Sequence, residues 1–140
     1  MKLTWTRESP ALWTEAMQAV LGAVPEGALP AYDIRLGEPS PGEWWRVERD
    51  GAVVGYGWMD VVWGDAEILL AVAPEAQGSG VGTYILDQLE QEARKRGLRH
   101  IHNVVPRSHP ERQKIKGWLA KRGYAGGHDP EQLRRVVGPA

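Results

Sequence analysis

No cysteine occurs among the 140 residues. Disulfides, thiolate zinc sites and a cysteine nucleophile are therefore excluded, and a reducing compartment is compatible with the chain. Phenylalanine is absent too, while tryptophan occurs seven times, so the large aromatic surfaces of any core or ligand wall must come from Trp and Tyr. Nowhere do eighteen apolar residues follow one another, so no membrane span is expected and no membrane partner. Met1 to Thr14 has no apolar run behind a basic stretch and does not read as a signal peptide. A cytoplasmic location is the expectation. The chain also lacks a long Lys/Arg run, and nucleic acid is not an expected partner.

The length fits one domain, 1–140, with a core that needs no metal or disulfide. Net charge is −1, unevenly spread: five Lys/Arg stand against thirteen Asp/Glu in residues 1–89, and twelve against five in residues 90–140. Such a division suits one anionic and one cationic partner; solvated helix faces explain it equally well.

Leu3 to Thr6 reads as a short strand. Ser9-Pro10 has the form of an N-cap followed by a first-turn proline, and Leu12, Trp13, Ala16, Met17 and Val20 follow at helical spacing, which predicts a helix to about Leu21. Gly22 to Pro41 reads as mostly loop. Glu43–Arg49 and Ala52–Trp63 are strand-like and joined by Asp50-Gly51, a hairpin turn because both positions favour positive φ. Gly64-Asp65 reads as the next turn and Ala66–Ala73 as the third strand. Its run Ile68 to Val72 is continuously apolar, as in a strand covered on both faces.

A helix is predicted from Gly80 or Val81 to Arg96, with Val81, Ile85, Leu86, Leu89 and Ala93 inward and Gly97 as the C-terminal cap. Arg99–Val105 follows as a strand, so a parallel crossover is expected. Ser108-His109-Pro110-Glu111 has a capping-box pattern before a helix that Gly123 ends, and Gln132–Val137 is a last strand. The predicted fold is α+β (mixed α/β): a mostly antiparallel twisted sheet with one parallel β-α-β crossover, flanked by helices.

The chemistry concentrates between Val72 and Thr83. Gly78, Gly80 and Gly82 let the chain turn sharply and expose main-chain N–H groups. The first amides of the following helix have no internal partner and carry about half a positive charge together, so a pyrophosphate fits there. A Walker lysine after Gly82 is missing, and the dinucleotide fingerprint G-x-G-x-x-G/A is unmet.

Gln77-Gly78-Ser79-Gly80-Val81-Gly82 fits the pattern Gln/Arg-x-x-Gly-x-Gly/Ala instead. With Val72-x-Pro74 upstream, Arg94 to Leu98 ending the helix and Lys121-Arg122-Gly123-Tyr124 near the end, the chain resembles the GNAT N-acetyltransferase superfamily from about Glu43 to Tyr124. The resemblance implies acetyl-CoA as co-substrate, no metal, and an amine acceptor, small molecule or protein. It implies that Gln77, Gly78, Ser79, Gly80, Val81, Gly82 and Thr83 bind the cofactor, the amides from Gly78 to Thr83 cradling the pyrophosphate. Main-chain groups of Leu70, Ala71 and Val72 then pair with the pantetheine arm, and a backbone N–H near Val72 polarises the thioester carbonyl. Arg107, Arg112 or Lys116 is expected at the 3′-phosphate.

The resemblance makes Glu67 the candidate general base. Glu67 stands five residues before Val72 where many relatives have six, so a bulge would be needed to align it; an ordinary strand-end carboxylate explains Glu67 at least as well. Asp60, Asp65 and His102 are further candidates. Leu119 occupies the place of the tyrosine that protonates the leaving thiolate in many relatives; Ser108, His109 or Tyr84 are substitutes. Trp44, Trp45, Trp58 and Trp63 divide between the core and an aromatic acceptor wall, which with the acidic first half predicts a cationic or aromatic amine. A catalytically degenerate acyl-CoA-binding sensor or interaction module is the alternative, and a homodimer stays open.

Overall fold

The computed structural model describes residues 2–10, 12–22, 37–39, 42–105, 107, 109–126 and 131–138. Strands β1 (Leu3–Arg7), β2 (Glu43–Arg49), β3 (Ala52–Val62), β4 (Asp65–Val72), β5 (His100–Val104), β6 (Ala125–Gly126) and β7 (Gln132–Val136) form one sheet in the order β1-β2-β3-β4-β5-β7-β6. Helices are α1 (Glu15–Gly22), α2 (Val81–Lys95) and α3 (Arg112–Lys121). Among the described residues only β4 and β5 pair in parallel, so the expected mixed fold with its single β-α-β crossover is what the chain forms.

Asp50 and Gly51 take φ of 51° and 84°, the hairpin geometry that Asp-Gly favours. The next turn sits one residue earlier than expected, on Trp63-Gly64, with φ of 53° and 82°. Glycine is spatially required at Gly57: a Cβ there would lie 2.6 Å from Trp5 and 3.0 Å from Ile85 Cγ2. Gly55 and Gly57 thus let α2 settle against β3, and they fix which side of the sheet α2 covers. Residues opposite each other across a ladder share a side, so Leu70 and Val72, which face Gly57 and Gly55, are on the α2 side. Tyr56, Trp58, Asp60 and Glu67 are on the α1 side.

The α2 face buries Val81, Ile85, Leu86, Leu89 and Ala93, as the helical spacing predicts. On the other side, Trp13 and Tyr56 meet Trp44 edge-on at 6.1 and 6.3 Å, while Met17, Val20 and Leu21 are buried. Helix α1 begins at Glu15 and not at Ser9-Pro10. Trp13 donates to Glu38 O and accepts from Gly37 N, both at 2.8 Å, which holds it in an extended bridge. Thr14 Oγ1 then accepts from Met17 N at 3.1 Å and caps the helix.

Helix α3 also starts later than the capping-box pattern implies. Glu111 is its N-cap residue without a side-chain cap bond, and Glu111 N donates to His109 Nδ1 at 3.0 Å. Ser108 lies outside the described residues, as does most of the expected loop Gly22–Pro41. Helix α3 packs beside α2, through an Arg122–Asp87 ion pair and through Tyr124, whose hydroxyl donates to Glu90 at 3.0 Å. Strand β6 was not expected; two residues are too short to leave a periodicity. Among the described residues no helix is long and apolar enough to cross a membrane.

Candidate functional site

Between β4 and α2 the chain makes a 3-10 turn, Pro74–Ala76, and then passes Gly78 and Gly80 at φ of 78° and 87°. Side chains other than glycine are strained there. The Ser79 hydroxyl donates to Ala76 O and pins the turn. Gly80 caps α2 without any side-chain bond. Tyr84 N is the first helical amide with a main-chain acceptor, Gly80 O at 3.0 Å. The amides of Val81, Gly82 and Thr83 precede it and have no intrahelical acceptor, so they and the helix dipole present positive potential together.

Those amides open onto a cleft of about 490 Å³. Its floor is Leu70, Ala71 and Val72; its loop wall is Gln77, Gly78, Gly80, Gly82 and Thr83. Of the ten expected cofactor positions, only Ser79 and Val81 do not line it. Ser79 is turned to Ala76 O, and Val81 is buried in the core. The cleft exists because β4 and β5 pair only from Asp65–His100 to Ile68–Asn103; beyond that rung the strands part and one edge of Leu69–Val72 has no β5 partner. A Cβ on Gly82 would come 3.8 Å from Val72 and 4.0 Å from Trp118, so a bare backbone is what keeps the throat wide.

The third wall is α3 with its approach: His109, Glu111, Lys114, Ile115 and Trp118. Lys114 was not singled out from the sequence, and Arg107, Arg112 and Lys116, which were, do not line the cleft. The available signal was phase: Lys114 is four residues before Trp118, on the same helical stripe. Lys114 Nζ is 3.9 Å from Glu111 Oε1 and its side chain is largely exposed. His109 Nδ1 accepts from Glu111 N, so a neutral His109 carries its proton on Nε2.

The acid–base candidates stand elsewhere. The β3–β4 ladder keeps unbroken register from Gly55–Val72 to Val62–Asp65, so the bulge that would align Glu67 with Val72 is not formed. Glu67 consequently faces the α1 side, opposite to Val72. It forms a row with Asp60 on β3, His102 on β5 and Arg134 on β7, and His102 Nε2 is 3.9 Å from Glu67 Oε1. Asp65 is 3.2 Å from His100 in the next row.

Tyr84 does not reach the cleft. It meets Trp5 edge-on at 6.4 Å, and burial pushes its phenol above the ordinary range. Leu119 is in the core, and its neighbour Trp118 takes the cleft wall. Trp44 and Trp45 are buried; Trp45 stacks on Trp5 at 5.5 Å. Trp58 is half-buried on the α1 side and Trp63 is 98% exposed at the turn, so of the four only Trp58 is placed beside the Asp60–Glu67 row. Among the described residues no three of His, Asp and Glu gather as a metal set.

A sequence model of the Acetyltransferase (GNAT) family matches residues 5–120. No curated protein matches the chain. Among solved structures, the ribosomal-protein-S18-alanine N-acetyltransferase from Escherichia coli has a TM-score of 0.65 at 14% identity, over 98% of this chain and 96% of that one. N-acetylglutamate synthase from Neisseria gonorrhoeae, complexed with coenzyme A and N-acetyl-glutamate, gives 0.71 at 17% identity over 99% of this chain and 36% of that one. A GNAT superfamily phosphinothricin acetyltransferase from Sinorhizobium meliloti in complex with AcCoA gives 0.55 at 22%, over 69% of this chain and 62% of that one. At such identities the likeness is one of fold.

Proposed function

The chain belongs to the GNAT acetyltransferase family, and from that premise we propose that it acts as a single domain moving an acetyl group from acetyl-CoA to the primary amine of a small molecule or protein. The observation that carries this is the run of amides without an intrahelical acceptor at the mouth of α2, opening onto a cleft floored by a strand edge without a β5 partner. In this reading the amides of Gly78 to Thr83 bind the pyrophosphate. The free edge of Leu70, Ala71 and Val72 pairs with the amides of the pantetheine arm as an added strand would. Lys114 meets the 3′-phosphate. Acetyl-CoA supplies an activated acyl group as a thioester.

The acceptor approaches from the α1 side, through the parting of β4 and β5. Asp60 and Glu67 attract a cationic amine, and Trp58 offers it an aromatic face. A lysine-like ammonium has a pKa of about 10.4 and must lose a proton before it can attack. Glu67 takes that proton, worth about 10²–10⁴ in rate. The thiolate of a thiol with pKa about 8.5 leaves without a tyrosine, and His109 Nε2 is the proton donor the cleft wall offers.

A cytoplasmic setting suits acetyl-CoA chemistry in a chain without cysteine. Pairing with a second copy along β7, of which β6 covers Leu133 and Arg134 among the described residues, completes the reading; sedimentation tests it. The function itself is tested by calorimetric titration with acetyl-CoA and then thiol release over a panel of cationic and aromatic amines. Binding with release is expected. Tight binding without release on any amine favours the sensor, and no binding at all ends both readings.

A further inference from the structure

The last rung joining β4 to β5 pairs Ile68 with Asn103. Asn103 is 8% exposed, and its Nδ2 is fully buried without a hydrogen-bond partner among the described residues. Native proteins seldom leave a buried donor unsatisfied, and an apolar residue of the same shape would remove the penalty. Asn103 shares its side of β5 with Ile101, whose partner Arg135 reaches Glu90 of α2 at 2.6 Å; the amide is therefore on the α2 side, like the cleft. The next residue on that side of β4 after Ile68 is Leu70, part of the cleft floor. Asn103 does not itself line the empty cleft; it stands on the rung just behind the cleft floor, where the strands begin to part. Its same-side neighbours Ile68, Leu133 and Leu70 offer no side-chain acceptor.

The amides of α2 mark the phosphate end of the cleft, so what arrives at the inner end is the tip of the arm. We propose that Asn103 Nδ2 donates a hydrogen bond to the acyl carbonyl oxygen of the bound thioester. This rests on the reading that the cleft takes acyl-CoA. As the amine nitrogen bonds to the acyl carbon, negative charge collects on that oxygen. The carbonyl then re-forms as the C–S bond breaks and the thiolate leaves; the first ammonium proton has gone to the base, and the second, shed by the newly bonded nitrogen, balances the proton the thiolate takes up. A donor fixed beside the oxygen stabilises that charge. Asn103 is then a catalytic residue that accepts instability in the empty protein for use in the loaded one.

Replacing Asn103 with Leu in the full chain separates the two effects. The ligand-free N103L protein should melt no lower than wild type. Its affinity for CoA, which has no acyl carbonyl, should be unchanged, while its affinity for acetyl-CoA falls about five- to tenfold. For any amine that supports turnover, kcat should fall about 10²-fold. Should N103L misfold, Asn103→Ala carries the same comparison of the two ligands. An unchanged ratio of acetyl-CoA to CoA affinity overturns the proposal, whether both affinities hold or both fall together. Absence of CoA binding by the wild-type protein strikes instead at the cleft reading beneath it.

Discussion

Glu90 is 3% exposed, and a charge so deep is tolerated only with partners. It accepts from the Tyr124 hydroxyl at 3.0 Å and from Arg135 Nη1 at 2.6 Å, tying α2 to the α3–β6 corner and to β7. Glu90→Gln should destabilise the protein by about 2–4 kcal/mol in urea titration, since it leaves Arg135 without its anion, and Tyr124→Phe by about 1 kcal/mol. Burial and the Glu90 carboxylate push the Tyr124 phenol well above its ordinary value. A folded-state value above the unfolded one gives stability that is complete below about pH 10 and is lost as pH rises further. Tyr124→Phe should flatten that alkaline decline, read from melting temperatures between neutral and strongly alkaline pH. Single residues are legible in the sequence where the backbone constrains them, as at Gly80. Lys114, Lys116 and Arg112 look alike as letters; only the phase of α3 separates the one that lines the cleft.

Elements are legible where their ends carry an unambiguous chemical signal. Asp50-Gly51 locates a hairpin to the residue because both take positive φ. Trp63 carries no turn signal, so the sequence places the next hairpin one residue late, and its left-handed conformation is a strain of about 1 kcal/mol on an exposed residue. Trp63→Asn should therefore leave melting unchanged or raise it slightly. The start of α1 reads too early because Ser9-Pro10 imitates a cap, while Thr14 provides the one that forms; Thr14→Ala should cost about 1 kcal/mol. At α2 the end itself is the proposed binding element. A Cβ at Gly82 would meet its nearest neighbours at 3.8 and 4.0 Å, ordinary contact distances, so Gly82→Leu should keep the fold and its melting temperature. The added side chain must then fill the throat between Val72 and Trp118, and affinity for CoA should fall at least tenfold by calorimetry. Full affinity in a folded G82L protein would remove the case for phosphate binding at this helix.

Across the whole molecule, the division of charge along the sequence becomes a division between two sides of the sheet. Asp60, Asp65 and Glu67 come from the acidic first part and stand on the α1 side; Lys114, with the rest of basic α3, lies beside α2 on the other. The parting of β4 from β5 joins the two sides, so a polyanionic donor and a cationic acceptor can reach one point from opposite directions without competing for the same surface. Composition discloses that asymmetry, but only the parallel β4–β5 pair gives it a geometry, because pairing over four rungs and then separating is a tertiary event. The arrangement makes the two acidic residues of one row distinguishable. Asp60 is exposed, and on the proposed reading it acts through its charge alone, so Asp60→Asn should raise KM for a cationic amine a fewfold, more at low salt than at high, and leave kcat unchanged. On the proposed reading Glu67 accepts the proton, so Glu67→Gln should lower kcat by about 10²–10⁴ while the calorimetric affinity for acetyl-CoA holds. If both variants change only KM, the row is an electrostatic guide and the base lies elsewhere; His102, 3.9 Å from Glu67, is then the next side chain to replace.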